Sequence, residues 1–390
     1  MAATDRKARE PWVLVAGDFA HTGGMDRANA TLADYLCASG RQVHLVGFRI
    51  DSDLAARPQA RPHLAKQIAG SDLLSAGQLS RLGQRVAQVV LARYPDARVL
   101  VNGTNCDLPD INWIHCVHHA WARNVKNAPF WYKAKSALSH WIDCEREGRI
   151  LPRARTLIAN SERTRRDLIE RVGVDPSRVH TIYLGTNEDW RTITPERRAI
   201  VRKRYRITPE RPLVIFVGAM GYDEHKGFDT LWEAWKEMCI DPEWDAELLA
   251  AGSGRALPMW RKAIVKAGLE RRVRLLGFID NVPDLLAAAD LLVSPVRYES
   301  YGLNVQEALT CGVPAIVTVS AGVAERYPPE LTELLLVDPE DPVELAARLR
   351  RWYARREQFK RLTERLAVRL RQYSWRDMAE RIVSLAENSK

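Results

Sequence analysis

"LLVSPVRYESYGLNVQEALTCGVPAIVTV", from Leu291 to Val319, decides how this chain folds. An apolar run ends at Pro295, "GLNVQEALTCG" has helical spacing and stops at Gly312 with Pro314 just beyond, and "AIVTV" is a second apolar run. Strand, helix and strand in quick succession are the repeating unit of a parallel sheet. Two carboxylates, Glu299 and Glu307, sit inside this unit with no Lys or Arg between them. An acid in such surroundings costs several kcal/mol unless something pairs with it. The turn before the helix holds Glu299 and Gly302. A helix start offers free N–H groups and about half a positive charge, which suits a phosphate, and a glycine lets the backbone come close. Glu307 falls one turn after Leu303 and Asn304 and so faces the same side. Carboxylates accepting hydrogen bonds from sugar hydroxyls would account for both acids.

Working outward, the same alternation appears twice. "WVLVAG", "QVHLVGF", "RVLVN", "NWIHC", "TLIAN" and "VHTIY" read as strands in the first half, with helices over 26–39 and 162–172 between them. In the second half "LVIFVG", "AELLAAG", "VRLLG", "DLLVSP", "AIVTV" and "LLLV" alternate with helices over 228–239 and 304–311. The stretch from Leu184 to Arg198 has turn residues without periodicity and reads as the linker. With 390 residues, two domains are expected, over 1–187 and 188–372.

Composition excludes several classes. Apolar residues make up 46%, enough for two cores, yet the longest apolar runs fall well short of the about 20 residues a membrane span needs. The N-terminal stretch lacks the apolar core of a secretory signal, so a cytoplasmic protein is expected. Six cysteines form no C-x-x-C pair, which argues against a zinc site or disulfide frame. The net charge of +9 suits phosphorylated ligands, an anionic membrane or nucleic acid, but no RNA- or DNA-binding pattern accompanies it. "AGSGR" from Ala251 is not a dinucleotide fingerprint, and "DSD" from Asp51 follows the second strand, far in sequence from Glu299 and Glu307, and reads as a loop.

The spacing Glu299 to Glu307 around Tyr301, Gly302 and Leu303 resembles the E-x7-E motif of the retaining GT-B glycosyltransferases of family 4. "VGAMGYDEHKGFDTLWEAW" resembles that family's strand, loop and helix with the donor-phosphate lysine, here Lys226; "AAGSGR" and "LGFIDNVPDLLAAADLLVSP" resemble the next two donor-domain segments. "GDFAHTGGMDRANATLADYLCASGRQVHLV" and "LIANSERTRRDLIERVGVDPSRVHTIYLGTN" resemble its N-terminal segments. The resemblance implies two Rossmann-like domains facing across a cleft, the C-terminal one binding a nucleotide-diphosphate sugar and the N-terminal one mainly the acceptor. The resemblance also implies that the last helix, from residue 373, crosses back to the first domain; Trp375, Met378, Ile382 and Leu385 have the helical spacing of one apolar face. The reaction implied is glycosyl transfer with retention to a saccharide, lipid or small-molecule hydroxyl, without metal or other cofactor. A non-catalytic nucleotide-sugar binder of the same fold is the alternative.

The resemblance implies that Glu299 contacts sugar hydroxyls, Glu307 the ribose and Lys226 the diphosphate. The other donor-side candidates are Gly23, Gly24, Gly252, Gly254, Phe278, Tyr301, Gly302, Leu303 and Asn304. On the acceptor side, "WIHCVHHAW" supplies His118 as the leading histidine and His115 as the second, with Asp26 beside the Gly23-Gly24 loop. The family commonly has Arg directly after the strand glycine, where this chain has Ala219; His225 and Arg297 are candidate substitutes. Between His118 and Arg155, Trp121, Trp131, Tyr132 and Trp141 interleave with Arg123, Lys126, Lys133 and Lys135. That mixture suits an anionic membrane interface or equally a helical pair under a solvated basic face.

Overall fold

The computed structural model describes residues 10–68, 72–121, 125, 127–186 and 193–388. The chain divides into two compact units, one of residues 1–120, 140–185 and 374–390, the other of residues 121–139 and 186–373.

In the first unit seven parallel strands are β1 (Trp12–Val15), β2 (Val43–Gly47), β3 (Ala60–Leu64), β4 (Arg98–Asn102), β5 (Ile111–Ile114), β6 (Thr156–Ala159) and β7 (Val179–Thr181), in the order β3-β2-β1-β4-β5-β6-β7. The continuous apolar run Trp12–Val15 and the strand Ile111–Ile114, polar only at Asn112, are buried throughout, as central strands covered on both faces must be. Besides a single turn at Ser52–Ala55, the α-helices are α1 (Met25–Ala38), α2 (Asp72–Arg93), α3 (Phe130–Ile150), which continues from the other unit, and α4 (Glu162–Asp167), begun by Ser161 accepting from the Thr164 amide.

The second unit holds β8 (Leu213–Val217), β9 (Glu247–Ala251), β10 (Val273–Gly277), β11 (Leu291–Ser294), β12 (Ala315–Thr318) and β13 (Leu335–Leu336), parallel in the order β10-β9-β8-β11-β12-β13. Its helices are α5 (Pro195–Arg204), α6 (Phe228–Met238), α7 (Leu257–Lys266), α8 (Val282–Ala288), α9 (Leu303–Thr310), α10 (Pro342–Ala354) and α11 (Arg356–Leu370). The last helix, α12 (Trp375–Asn388), packs on α1 of the first unit. This is the GT-B fold: two α/β units, each built on a parallel sheet whose order reverses beside its first strand.

Three details differ from the sequence reading. Residues 121–139 group with the second unit, because their side chains find partners there. Trp121 stacks on Tyr298 at 5.9 Å, Asn127 Nδ2 donates to Glu224 Oε1 at 2.6 Å, and Tyr132 meets the edge of Tyr222 at 5.5 Å. On α12 the buried face is Trp375, Met378, Ala379, Ile382, Val383 and Ala386, whereas Leu385 is half-buried. Strand β3 has no counterpart among the predicted strands. The change of unit comes at Gly185 and Thr186, where Thr186 donates its N–H to Tyr373 O at 3.0 Å, while residues 187–192 of the expected linker lie outside the described residues.

Candidate active site

In the second unit the order of strands reverses between β8 and β11, and ligands of open parallel sheets bind at the carboxyl ends beside such a reversal. The loop after β8 carries Lys226 and the turn after β11 carries Glu299. They meet there: Lys226 Nζ lies 2.5 Å from Glu299 Oε2, with the two side chains 23% and 19% exposed. Arg297, two residues before Glu299, is engaged by Asp229 and Glu340, and the cation that pairs with Glu299 comes from 73 residues earlier. Three residues after Glu299, Gly302 (φ +109°) stands at the start of α9 and has no side chain to cap it, while Asn304 Oδ1 accepts from the Val305 N–H at 2.9 Å. An added Cβ at Gly302 would lie 2.9 Å from Val323 Cγ1, in a conformation L side chains rarely adopt. Asn304 Nδ2 donates to Val217 O at 2.9 Å, tying the start of α9 to the end of β8. Leu303, Asn304 and Glu307 are half-buried while Val305, Gln306, Ala308, Leu309 and Thr310 are buried, so the three expected residues share the open stripe of α9. The Glu307 charge also reaches Cys311, whose thiol is pushed up to about 12 by burial first and by this carboxylate second.

The loops after β8 and β9 interlock through their backbones. Gly218 N donates to Ala251 O at 3.0 Å and Met220 N to Ser253 O at 2.9 Å. A Cβ at Gly252 would fall 1.8 Å from Gly218 O, and one at Gly254 would fall 2.0 Å from Met220 O, so both positions admit only glycine. Phe278, just after β10, is 73% exposed. Tyr301 corrects an expectation: its ring is buried and its hydroxyl donates to Gln306, so its side chain braces the core rather than facing a ligand. Arg297 is likewise no substitute for the arginine missing at Ala219. It is bonded to Asp229 at 2.6 and 2.8 Å and to Glu340 at 2.9 Å; burial opposes its charge, but these carboxylates raise its pKa above the ordinary value. His225 lies 3.8 Å from Asp223, whose pKa it lowers by hydrogen bonding against the effect of burial, and its ring tilts on Trp121 at 5.2 Å.

In the first unit Gly23 (φ +83°) and Gly24 precede α1, and Asp26 stands in the first turn of that helix. Burial, with the charges of Asp18 and Asp51 added and Arg49 opposing, raises the Asp26 carboxyl to about 6. His115 does not face a site: its ring packs on Trp113 at 4.5 Å, its Nε2 is shielded from solvent, and burial lowers its pKa to about 3. His118 and His119 follow on a short turn and both bond to Glu147, a residue 1% exposed on α3 that nothing in the sequence singles out. The "DSD" acids gain a third partner, since His21 N donates to Asp51 Oδ2 at 2.8 Å and His21 Nε2 lies 3.1 Å from Asp53 Oδ2. Among the described residues these three form the one group with donor atoms close enough to hold a metal ion.

Comparison with known proteins agrees with this architecture. Residues 211–355 match the family described as glycosyl transferases group 1, and residues 22–190 match glycosyltransferase family 4. The chain is 30% identical over 221 residues to a D-inositol 3-phosphate glycosyltransferase of Geodermatophilus obscurus, an alignment that covers 54% of this chain and 48% of the relative. It spans about half the length of the curated relatives it matches. Among solved structures, a sucrose-phosphate synthase of Thermosynechococcus elongatus superposes with a TM-score of 0.76 at 21% identity, over 97% of this chain and 98% of the other. Anabaena HepE in complex with UDP-glucose superposes with a TM-score of 0.69 at 18% identity, over 96% and 98% of the two chains.

Proposed function

Because the chain belongs to the group 1 glycosyl transferases of family 4, we propose that it moves a sugar from a nucleotide-diphosphate sugar to a hydroxyl acceptor, with retention at the anomeric carbon, in the synthesis of a glycan, glycolipid or polysaccharide. The observation that carries this reading is the Lys226–Glu299 pair at the strand-order reversal, beside the glycine-led start of α9. When the bond from the anomeric carbon to the diphosphate breaks, negative charge builds on the leaving phosphate. Lys226 and the amino end of α9 are the groups that would neutralise it. The acceptor oxygen bonds to the anomeric carbon on the face the phosphate leaves, and its proton passes to that phosphate. Glu299 holds sugar hydroxyls and Glu307 the ribose. On the acceptor side we assign roles to Asp26 and His118, with Gly23 and Gly24 offering backbone amides.

We also assign a peripheral contact with anionic membrane to α3. Phe130, Trp131, Leu138 and Trp141 are 57 to 86% exposed, no acid lies between Phe130 and Ile142, and Lys133 and Lys135 sit among them. Tyr132 by contrast packs inward, and Arg123 and Lys126 lie outside the described residues. No helix among the described residues is long and apolar enough to cross a membrane.

A lysine and a helix dipole neutralise a diphosphate without a divalent ion, so donor turnover is expected to survive thorough chelation. Lys226→Ala should lower turnover about 100-fold while changing donor affinity much less. Activity that disappears in chelator and returns with magnesium or manganese would instead implicate His21, Asp51 and Asp53. Tight donor binding without turnover would favour a non-catalytic binder, the reading that Ala219 in place of the usual arginine supports.

A further inference from the structure

We propose that Glu147 is a positioning residue that fixes the tautomer and direction of His118 and His119, so that in each ring Nε2 carries the lone pair. The proposal rests on the reading of His118 as a site residue of a glycosyltransferase, and it names what prepares that residue for its task. Glu147 Oε1 accepts from the His118 backbone N–H at 2.7 Å and from His118 Nδ1 at 2.7 Å. Oε2 accepts from the His119 backbone N–H at 3.1 Å and from His119 Nδ1 at 2.9 Å. One carboxylate, 1% exposed, therefore takes four donors from two adjacent residues.

The chemistry of the acceptor dictates the proton positions. An ionised carboxylate only accepts, so each Nδ1 facing it carries hydrogen. Burial alone would raise the Glu147 pKa, but the bonds from His118 and His119 outweigh it and hold the group below its ordinary value, in the ionised form this requires. With Nδ1 protonated, a neutral imidazole keeps its lone pair on Nε2, the nitrogen that accepts a hydrogen bond from a hydroxyl or takes its proton. His118 Nε2 stands 3.9 Å from Asp143 Oδ2, beyond hydrogen-bond length, so that acid does not reverse the assignment. The same carboxylate also ties the turn after β5 to α3 through the two backbone N–H groups, and a purely structural role would consist of that alone.

The test reads the tautomers directly. The full chain, labelled with nitrogen-15 at its nine histidines, is studied by NMR at pH 8, with His118→Ala and His119→Ala spectra giving the assignments. Both rings are expected to carry hydrogen on Nδ1 and the lone pair on Nε2. In Glu147→Gln the amide oxygen can serve only one of the two residues, and its NH2 group would face the donors of the other. At least one ring should then move its hydrogen to Nε2, and sugar turnover should fall about tenfold or more in a variant that still melts cooperatively. A wild-type His118 with hydrogen on Nε2 overturns the proposal, and so does a folded Gln variant with unchanged tautomers and turnover. Should the variant not fold, the wild-type tautomers decide alone. The expected tautomers in a chain that transfers no sugar from any donor would uphold the clamp and overturn the transferase reading.

Discussion

At the residue scale, the fold keeps charged groups at positions where burial opposes their charge. Asp26 is the clearest case, because its carboxyl is raised to about 6 by burial and by Asp18. A raised acid binds its proton more tightly folded than unfolded, so stability is full below the unfolded value near 3.8 and is lost as pH climbs through about 6. The difference corresponds to about 3 kcal/mol, which partial exposure reduces to about 1 to 2 kcal/mol. Asp26→Asn should therefore stabilise the protein by that amount at pH 8 and by almost nothing at pH 4, as measured by urea unfolding at the two pH values. Equal effects at both would show that burial of the charge is not what the fold tolerates at this position. Such a cost at a helix start beside Gly23 and Gly24 fits a side chain kept for a ligand. The spacing of Glu299 and Glu307 is plain in the sequence, but the partner of Glu299 is not, because 73 residues separate it from Lys226 and only the sheet order brings them together. Glu147 left no signal at all, since it lies 29 residues from His118 on a helix whose pattern gives no hint of a shared acceptor.

At the element scale, the strands that read as unbroken apolar runs are the central strands of both sheets, where burial on two faces demands such runs. The strand missed, β3, is an edge strand with Pro62 inside and an exposed arginine, features that edge positions tolerate and that hide a strand from pattern reading. The last helix was legible by its 3.6-residue period, and its register turned out to favour Ala386 over Leu385 in the buried face. Its contribution is testable at Ile382, which is fully buried in the packing of α12 on α1. Ile382→Ala should cost about 2 to 5 kcal/mol by denaturant unfolding, whereas a loss under about 0.5 kcal/mol would mean that the helix is merely laid on the surface. Arg41 to Glu387 at 2.7 Å and Arg98 Nε to Ala386 O at 3.0 Å add polar ties to the same end of the helix.

At the scale of the whole molecule, the two-unit plan was legible from the repeated alternation, but the allegiance of residues 121–139 was not, because it depends on aromatic partners such as Tyr222 and Tyr298 far along the chain. The exposed aromatic stripe of α3 and the net charge of +9 lead to a prediction for the full chain. It should sediment with vesicles containing anionic lipid at low salt and be released at high salt, each basic residue near the surface adding about 1 kcal/mol. Failure to bind at low salt would leave a soluble acceptor as the better reading. The central claim, donor-sugar transfer with retention at the Lys226–Glu299 site, is tested most directly by incubating the protein with a panel of nucleotide sugars and following the released sugar by NMR. The account predicts that one donor is slowly hydrolysed, that the sugar first appears with the anomeric configuration it had in the donor, and that Glu307→Ala weakens nucleoside diphosphate binding by about 1.5 to 3 kcal/mol. A first-formed sugar of inverted configuration, or nucleotide affinity unchanged in a folded Glu307→Ala variant, would contradict it.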